Sequence, residues 1–166
     1  MKVSIGIDIG GTGTKFGIVS LDGKVLYQGA IPTQTEAIFE DYIHLLSNEI
    51  RKGLDSEKHE LIGIGVGAPN ANYHKGTIEH APNLRWKGIL PLAKTLEDEF
   101  DVPTVVTNDA NAAAVGEMIF GGAKGMKDFI VITLGTGLGA GIVCNGQLVN
   151  GANGFAGELG HTTVTY

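Results

Sequence analysis

The 166-residue sequence lacks the features that identify several protein classes. It has one cysteine, Cys144, which cannot form an internal disulfide and is typical of a reducing compartment. Its longest apolar runs, such as 129–134, are too short to cross a membrane, and no secretory leader pattern opens the chain. Five prolines and no Gly-X-Y period exclude a collagen-like chain. We therefore predict a cytoplasmic protein with no membrane partner.

Charged residues are also few, and their balance is acidic. They make up 18% of the chain, against 43% hydrophobic residues, and the net charge is −6. The hydrophobic fraction is enough to bury a core, which excludes a disordered chain. The acidic balance argues against nucleic acid as a partner, because nucleic acid is itself negatively charged. The length allows one domain, or one domain and part of another.

Glycine is abundant instead, and it clusters in two related segments. The chain has 26 glycines, a share more than twice the usual value of about 7%. Residues 11–19 and 135–143 are identical at six of nine positions, and both begin with Gly-Thr-Gly. Each copy reaches an Asx-Gly pair, at 22–23 or 145–146, which is typical of hairpin turns. An internal repeat at this separation indicates two related domains.

The sequence between the two copies alternates between helical and extended patterns. A capping-box pattern at 33–36 predicts the start of a helix, for which Gly53 is a candidate C-terminal cap. Segment 70–83 is predicted to be a polar loop, and glycines and lysines after 120 indicate a linker. We predict one domain over 1–122, and a linker with the first hairpins of a second domain over 123–166. Apolar periodicity predicts strands over 3–9, 61–67, 102–107 and 129–134, and further helices over 90–100 and 110–120.

The two Gly-Thr-Gly turns are candidate phosphate sites. A turn of this kind exposes backbone N–H groups without side chains in the way, and such a concave group of amides binds anions. One copy alone is more often a plain tight turn, but two copies could close on one polyphosphate from opposite sides. Neither copy is a Walker A loop, and neither is a convincing dinucleotide fingerprint, because strands rather than helices follow.

Several ionisable side chains lie beside these turns and elements. Asp8 could hold Mg²⁺ through water, or could simply cap its turn, and Lys15 could offset phosphate charge or be solvated. Asp109 follows a strand and opens a helix, where a carboxylate could accept a proton from an alcohol or serve as a plain N-cap. Glu158 and His161 share a face if a helix begins there, which suits a polyol or a metal, although one histidine cannot hold a metal alone.

Five motifs, in this order along the whole chain, resemble the ROK sugar kinases of the actin/hexokinase/Hsp70 superfamily. Residues 8–12 and 134–141 are similar to the two phosphate motifs of the family. Residues 81–84 and 108–114 are similar to its sugar-side motifs, and 151–161 to its signature. The resemblance implies an α/β actin-like ATPase fold, related to ribonuclease H, with a mixed sheet, antiparallel strands 1–3, flanking helices and a second similar domain that is only begun.

The resemblance implies ATP-dependent phosphorylation of a hexose, with glucose expected, at its 6-hydroxyl. Asp109 would be the catalytic base, and Asp8 would lie near Mg²⁺. His161 would also ligate a structural zinc, and the family commonly forms homodimers. The other implied contacts to sugar hydroxyls come from Asn83, Asn108, Glu158 and His161. The implied contacts to ATP come from Asp8, Gly10, Gly11, Thr12, Gly13, Thr14, Lys15, Gly135, Thr136 and Gly137.

Two departures from the family pattern shape the expectation for this chain. The cysteines that would complete the zinc site, and much of the nucleotide-binding second domain, would follow Tyr166. We therefore expect an N-terminal portion that alone turns over poorly and does not complete the zinc site. Asn70 and 72–74 replace a more glycine-rich stretch. Alternative hypotheses are a sugar-responsive transcriptional regulator of the same family, or a non-catalytic sugar-binding module.

Overall fold

The structure is a computed structural model that describes residues 1–135 and 137–162. Its elements, in chain order, are β1 (Lys2–Ile9), β2 (Gly13–Ser20), β3 (Val25–Pro32), α1 (Phe39–Arg51), β4 (Glu60–Gly67), β5 (Ala71–Asn72), β6 (Thr77–Glu79), β7 (Ile89–Leu90), α2 (Leu92–Phe100), β8 (Thr104–Thr107), α3 (Asp109–Ile119), β9 (Phe129–Leu134), β10 (Leu138–Cys144), β11 (Gln147–Leu148) and a 3-10 helix (Leu159–His161).

A mixed five-stranded sheet organises the first two thirds of the chain. Its strand order is β3-β2-β1-β4-β8. Strands β1, β2 and β3 pair antiparallel, whereas β4 pairs parallel with both β1 and β8. The predicted mixed sheet with three antiparallel opening strands is therefore confirmed. Two smaller sheets, β5-β6-β7 and β11-β10-β9, complete the described strands.

The core lies on one face of the five-stranded sheet. Apolar residues alternate along β1, and its Val3, Ile5, Ile7 and Ile9 are all buried. Alternation buries every second residue because successive side chains of a strand point to opposite faces. Helices α1 and α2 add their apolar stripes to the same core, with buried Tyr42, Ile43, Leu46, Ile50, Leu92 and Leu96.

Helix α3 joins the first sheet to the β9–β10 hairpin. Its small residues allow close approach on both sides: Ala112 lies against Gly67 of β4, and Ala110 and Ala114 lie against Gly141 of β10. A Cβ on Gly141 would be 2.5 Å from the carbonyl oxygen of Ala110. The hairpin therefore packs directly on α3. The domain boundary at 122–123 stays a prediction.

The predicted capping box at 33–36 is wrong. Helix α1 begins at Phe39, its N-cap is Ile38, and no side chain caps it. Thr33 is buried instead, with its hydroxyl 2.9 Å from that of Thr14. The capping pattern failed because the same side-chain oxygen bonds a residue in β2 rather than its own helix.

Three further sequence predictions need correction. Lys52, not Gly53, is the C-cap of α1, and Gly53 lies flat against the ring of Tyr27. The helix predicted over 90–100 begins at Leu92, because Leu90 pairs with Ile78 of β6. The predicted loop 70–83 contains the short strands β5 and β6.

Among the described residues, no helix is long and apolar enough to span a membrane.

Candidate functional site

A polar cleft of about 470 Å³ lies where the first sheet, α3 and the β9–β10 hairpin meet. Its wall contains nine of the residues that the sequence singled out: Asp8, Gly10, Gly11, Asn83, Asn108, Asp109, Gly135, Gly137 and Glu158. These residues come from five separate segments of the chain. Residues from both glycine-rich copies thus line one cleft, as expected for turns that act on a common ligand.

Sheet topology explains why these segments converge. Strands β1, β4 and β8 run parallel, so their carboxyl ends meet at one edge of the sheet. Asp8 lies at the end of β1, Asn70 follows β4, and Asn108 follows β8. Ligands of open α/β sheets bind outside such carboxyl ends.

The start of α3 separates two roles that the sequence left open. Asn108 is the N-cap, because its Oδ1 accepts a hydrogen bond of 2.7 Å from the Asn111 N–H. Asp109 is the first residue of the helix, and its Oδ1 accepts from the Ala110 N–H at 2.8 Å. Asp109 is exposed on the cleft wall. A carboxylate on the wall of a cleft can accept a proton from a bound hydroxyl, so Asp109 has the chemistry of a base.

Asn108 also joins the cap to the loop after β11. Its Nδ2 donates to Glu158 Oε1 at 3.4 Å, and its side chain is buried. Glu158 immediately precedes the 3-10 helix, so the predicted helical start there is a single short turn. The two side chains thus present an amide and a carboxylate beside Asp109, which are groups that bind hydroxyls.

His161 is not on the cleft wall. Its side chain is 85% exposed, and its Nε2 lies 3.8 Å from Glu158 Oε2. Within residues 1–135 and 137–162, no group of three or more potential ligands could hold a metal ion. His161 alone does not fit zinc, which takes four ligands. The carboxylates of Asp8 and Asp109 do suit Mg²⁺, which prefers oxygen.

The first glycine turn keeps free donors. Gly10 N–H donates to Gly13 O at 3.0 Å, and Thr33 N–H donates to Thr12 O at 3.1 Å. Among the described residues, neither the Gly11 N–H nor the Thr12 N–H donates a backbone hydrogen bond. Thr12 and Gly13 are exposed on this turn. Free amides of this kind can bind phosphate oxygens.

Thr14 does not face the cleft. Its side chain is fully buried, and its Oγ1 lies 2.9 Å from the Thr33 hydroxyl and 2.6 Å from the Tyr42 hydroxyl. Burial raises the pKa of Tyr42 to about 12, although the Thr14 hydrogen bond opposes the shift. The Tyr42 hydroxyl therefore stays neutral. The Thr14 side chain supports the turn from behind.

The second glycine turn also closes with a backbone hydrogen bond. Gly135 N–H donates to Gly137 O at 3.0 Å, and both residues line the cleft. Leu134 and Leu138, which flank the turn, are exposed. Thr136, predicted to bind phosphate, lies outside the described residues.

A larger cavity of about 570 Å³ lies on the glycine-bearing face of the first sheet. Gly6, Gly65 and Val105 are typical of its mostly apolar wall. Lys15 lies here, opposite Asp8 on the neighbouring strand, and not in the polar cleft. Sugar hydroxyls and phosphates need polar partners, so the smaller cleft is the candidate site.

Sequence reasoning gave no cleft role to two residues that the structure brings in. Asn70 lines the cleft with a φ of 50°, in the left-handed region where asparagine is tolerated, and its Nδ2 donates to Glu79 O at 3.2 Å. Its position after a strand and a proline was a usable signal. Gln34 bonds two cleft segments from behind, and no local pattern marks it.

The fold and the paired glycine turns define a protein of the actin-like ATPase fold class. The chain belongs to the ROK family, whose model matches residues 4–166.

Named relatives include enzymes and regulators. A glucokinase of Halalkalibacterium halodurans is 42% identical over 168 residues, covering 96% of this chain and 49% of the relative. A xylose repressor of Caldicellulosiruptor bescii is 35% identical over 167 residues, covering 98% and 41%. A ROK family glucokinase from Streptomyces griseus, solved with glucose and AMPPNP, superposes with a TM-score of 0.83 at 38% identity, covering 98% of this chain and 51% of that one. The chain thus spans about half the length of these relatives.

Proposed function

We propose that the polar cleft binds a hexose beside the phosphates of ATP, and that the protein transfers the γ-phosphoryl group to the sugar 6-hydroxyl. The observation that carries this proposal is the position of Asp109. It opens a helix on the wall that residues of both glycine turns also line. The similarity to glucokinases supports glucose as the hexose.

Each side chain has a proposed role. Asp109 orients the 6-hydroxyl and takes its proton as the new O–P bond forms, while the bond to the ADP oxygen breaks and ADP leaves with its electron pair. Asn83, Asn108 and Glu158 hydrogen-bond the other hydroxyls. The amides of both glycine turns hold phosphate oxygens. Mg²⁺ held near Asp8 would neutralise phosphate charge when bound.

Two predictions continue as proposals alongside this one. His161 would contribute to a structural zinc site only together with further ligands, because zinc takes four. The protein works in the cytoplasm as a homodimer.

The experiment compares Asp109→Asn with a matched control, Asp101→Asn. Asp101 is exposed at the end of α2 with a φ of 54°, a conformation that asparagine also adopts. Glucose binding is measured by calorimetry, and glucose 6-phosphate is measured from labelled ATP. We expect Asp109→Asn to lower product formation about 10²–10⁴-fold with glucose affinity nearly unchanged, and Asp101→Asn to change neither. Product formation that survives Asp109→Asn would contradict the assignment.

A sugar-sensing function without catalysis is the second candidate. The xylose repressor, 35% identical over almost the whole chain, favours it. A sensor would bind sugar and yield no sugar phosphate in any variant. The same two measurements therefore separate the candidates.

A further inference from the structure

The segment between β3 and α1 contacts two of the segments that line the polar cleft. The Nε2 of Gln34 donates to Asn83 O at 3.0 Å and also to Gly11 O. Gly11 belongs to the first glycine turn, and Asn83 belongs to the proposed sugar segment. One side-chain amide therefore joins two segments that are 49 and 23 residues away from it in sequence.

The two joined segments also lie close together. A Cβ on Gly11 would lie 3.3 Å from both the Cβ and the carbonyl oxygen of Asn83, so a side chain at position 11 would press on Asn83. Gln34 fixes the carbonyl side of the same contact.

A hydrogen bond that fixes a carbonyl group also fixes the direction of the N–H group in the same peptide unit. The peptide unit is planar and trans, so the C=O of Gly11 and the N–H of Thr12 point in opposite directions. Because Gln34 holds the Gly11 oxygen, the Thr12 N–H points away from Gln34, and it donates no backbone hydrogen bond among the described residues. In the same way, the bond to Asn83 O fixes the backbone that carries the Asn83 side chain.

Gln34 is itself anchored. The guanidinium Nη1 of Arg85 donates to Gln34 O at 2.9 Å, and Trp86 Nε1 donates to Glu36 O at 3.2 Å. On the other side, Thr33 N–H donates to Thr12 O. The segment is therefore bonded on both flanks to the elements that it joins.

We propose that Gln34 is a positioning residue that couples the phosphate turn to the sugar segment, so that a ligand on one side orders the other. This inference rests on the proposed function. Glutamine suits the role because its amide carries two hydrogens for two carbonyl oxygens, whereas a carboxylate would repel both. Coupling of this kind is reciprocal: nucleotide raises affinity for sugar by the same factor as sugar raises affinity for nucleotide.

The test measures the glucose affinity of the protein with and without Mg²⁺–AMPPNP. In the wild type we expect AMPPNP to tighten glucose binding by about fivefold or more. In Gln34→Ala and Gln34→Glu the ratio of the two affinities should fall to about 1. Gln34→Lys, which restores a donor of sufficient length, should recover most of it. The matched control is Gln147→Ala, an exposed glutamine of β11 outside the cleft.

If Gln34 had only a structural role, Gln34→Ala would weaken the affinity for each ligand without changing the ratio of the glucose affinities with and without AMPPNP. Three outcomes would overturn the proposal. The ratio could stay unchanged in Gln34→Ala, it could fall equally in Gln147→Ala, or Gln34→Lys could fail to restore it. Amide hydrogen exchange separates it from the proposed function. If the wild type binds neither ligand, the proposed function fails. Faster exchange of both 10–13 and 83–86 in Gln34→Ala then still supports the bridge, and unchanged exchange in either segment overturns it.

Discussion

The two glycine-rich copies share their glycines but differ in which glycine is closely packed: a turn glycine in the first copy and a strand glycine in the second. In the first copy the turn glycine is tight, since a Cβ on Gly11 would lie 3.3 Å from Asn83. The aligned Gly135 has open space in the described part of the chain. In the strands the order reverses: Gly17 has only ordinary contacts, whereas Gly141 lies against the backbone of α3.

The difference shows that a repeat specifies conformation but not partners. The first turn lies against the sugar segment and is bonded by Gln34, both of which follow its copy in sequence. The second strand packs on α3, which lies before its copy in sequence. Identical glycines therefore serve different contacts, and substitutions at aligned positions can measure this.

The largest expected effect is at the aligned strand glycines. A Cβ on Gly141 would lie 2.5 Å from the Ala110 oxygen and the Ala114 Cβ, so Gly141→Ala should lower the free energy of unfolding by about 3 kcal/mol. A Cβ on Gly17 would meet Tyr27 O at 3.4 Å, so Gly17→Ala should change it by less than about 0.5 kcal/mol. Urea denaturation measures both, and equal losses would contradict the comparison.

The next effect concerns the hydroxyl cluster of Thr14, Thr33 and Tyr42, which lies beside the first turn. The second copy has no such cluster at the aligned position, because the residue aligned with Thr14 is Leu138, which has no hydroxyl and is 41% exposed. Tyr42→Phe should cost about 1 kcal/mol of unfolding free energy at pH 7, because the Thr14 hydroxyl loses a buried partner.

The pH dependence of stability sharpens this prediction. The folded pKa of Tyr42 is about 12, above the unfolded value of about 10. The unfolded state therefore loses its proton first, and the contribution of Tyr42 is full below about pH 10 and falls at up to about 1.4 kcal/mol per pH unit towards pH 12. Denaturation of wild type and Tyr42→Phe from pH 8 to 12 should show the difference in their unfolding free energies closing near pH 11 and then reversing sign; a constant difference would refute the buried tyrosine hydroxyl.

The smallest effect is at the aligned turn glycines. Gly11→Ala should lower unfolding free energy by about 0.5–1 kcal/mol, because the new Cβ must displace Asn83 slightly. Gly135→Ala, with open space around it among the described residues, should be neutral within about 0.5 kcal/mol. Thermal denaturation of Gly11→Ala and Gly135→Ala measures both changes in stability. A larger loss for Gly135→Ala would reverse the comparison.

Much of the fold could be predicted because it follows short-range patterns. Alternation along β1 marked the core face, and the parallel strand ends explain why Asp8 and Asp109 meet. The same alternation in β2 places Thr14 on the core face with Phe16 and Ile18, so its side chain could have been excluded from phosphate binding by sequence alone.

The rest depends on contacts distant in sequence. Gln34 bonds carbonyls at Gly11 and Asn83, and backbone carbonyls carry no sequence signal. At 33–36 a local capping pattern competed with tertiary bonds, and the tertiary bonds prevailed because the Thr33 hydroxyl is buried beside that of Thr14.

The order of strands in the five-stranded sheet also bears on how the chain folds during synthesis. Its last strand, β8, ends at Thr107, so a ribosome delivers every strand of that sheet before it makes α3 or the β9–β10 hairpin. Parallel pairing of β1 with β4 joins Lys2 to Glu60, a long-range contact of the kind that slows folding. We expect this step to set the pace, and the later hairpin to dock on α3 against a sheet that is already formed.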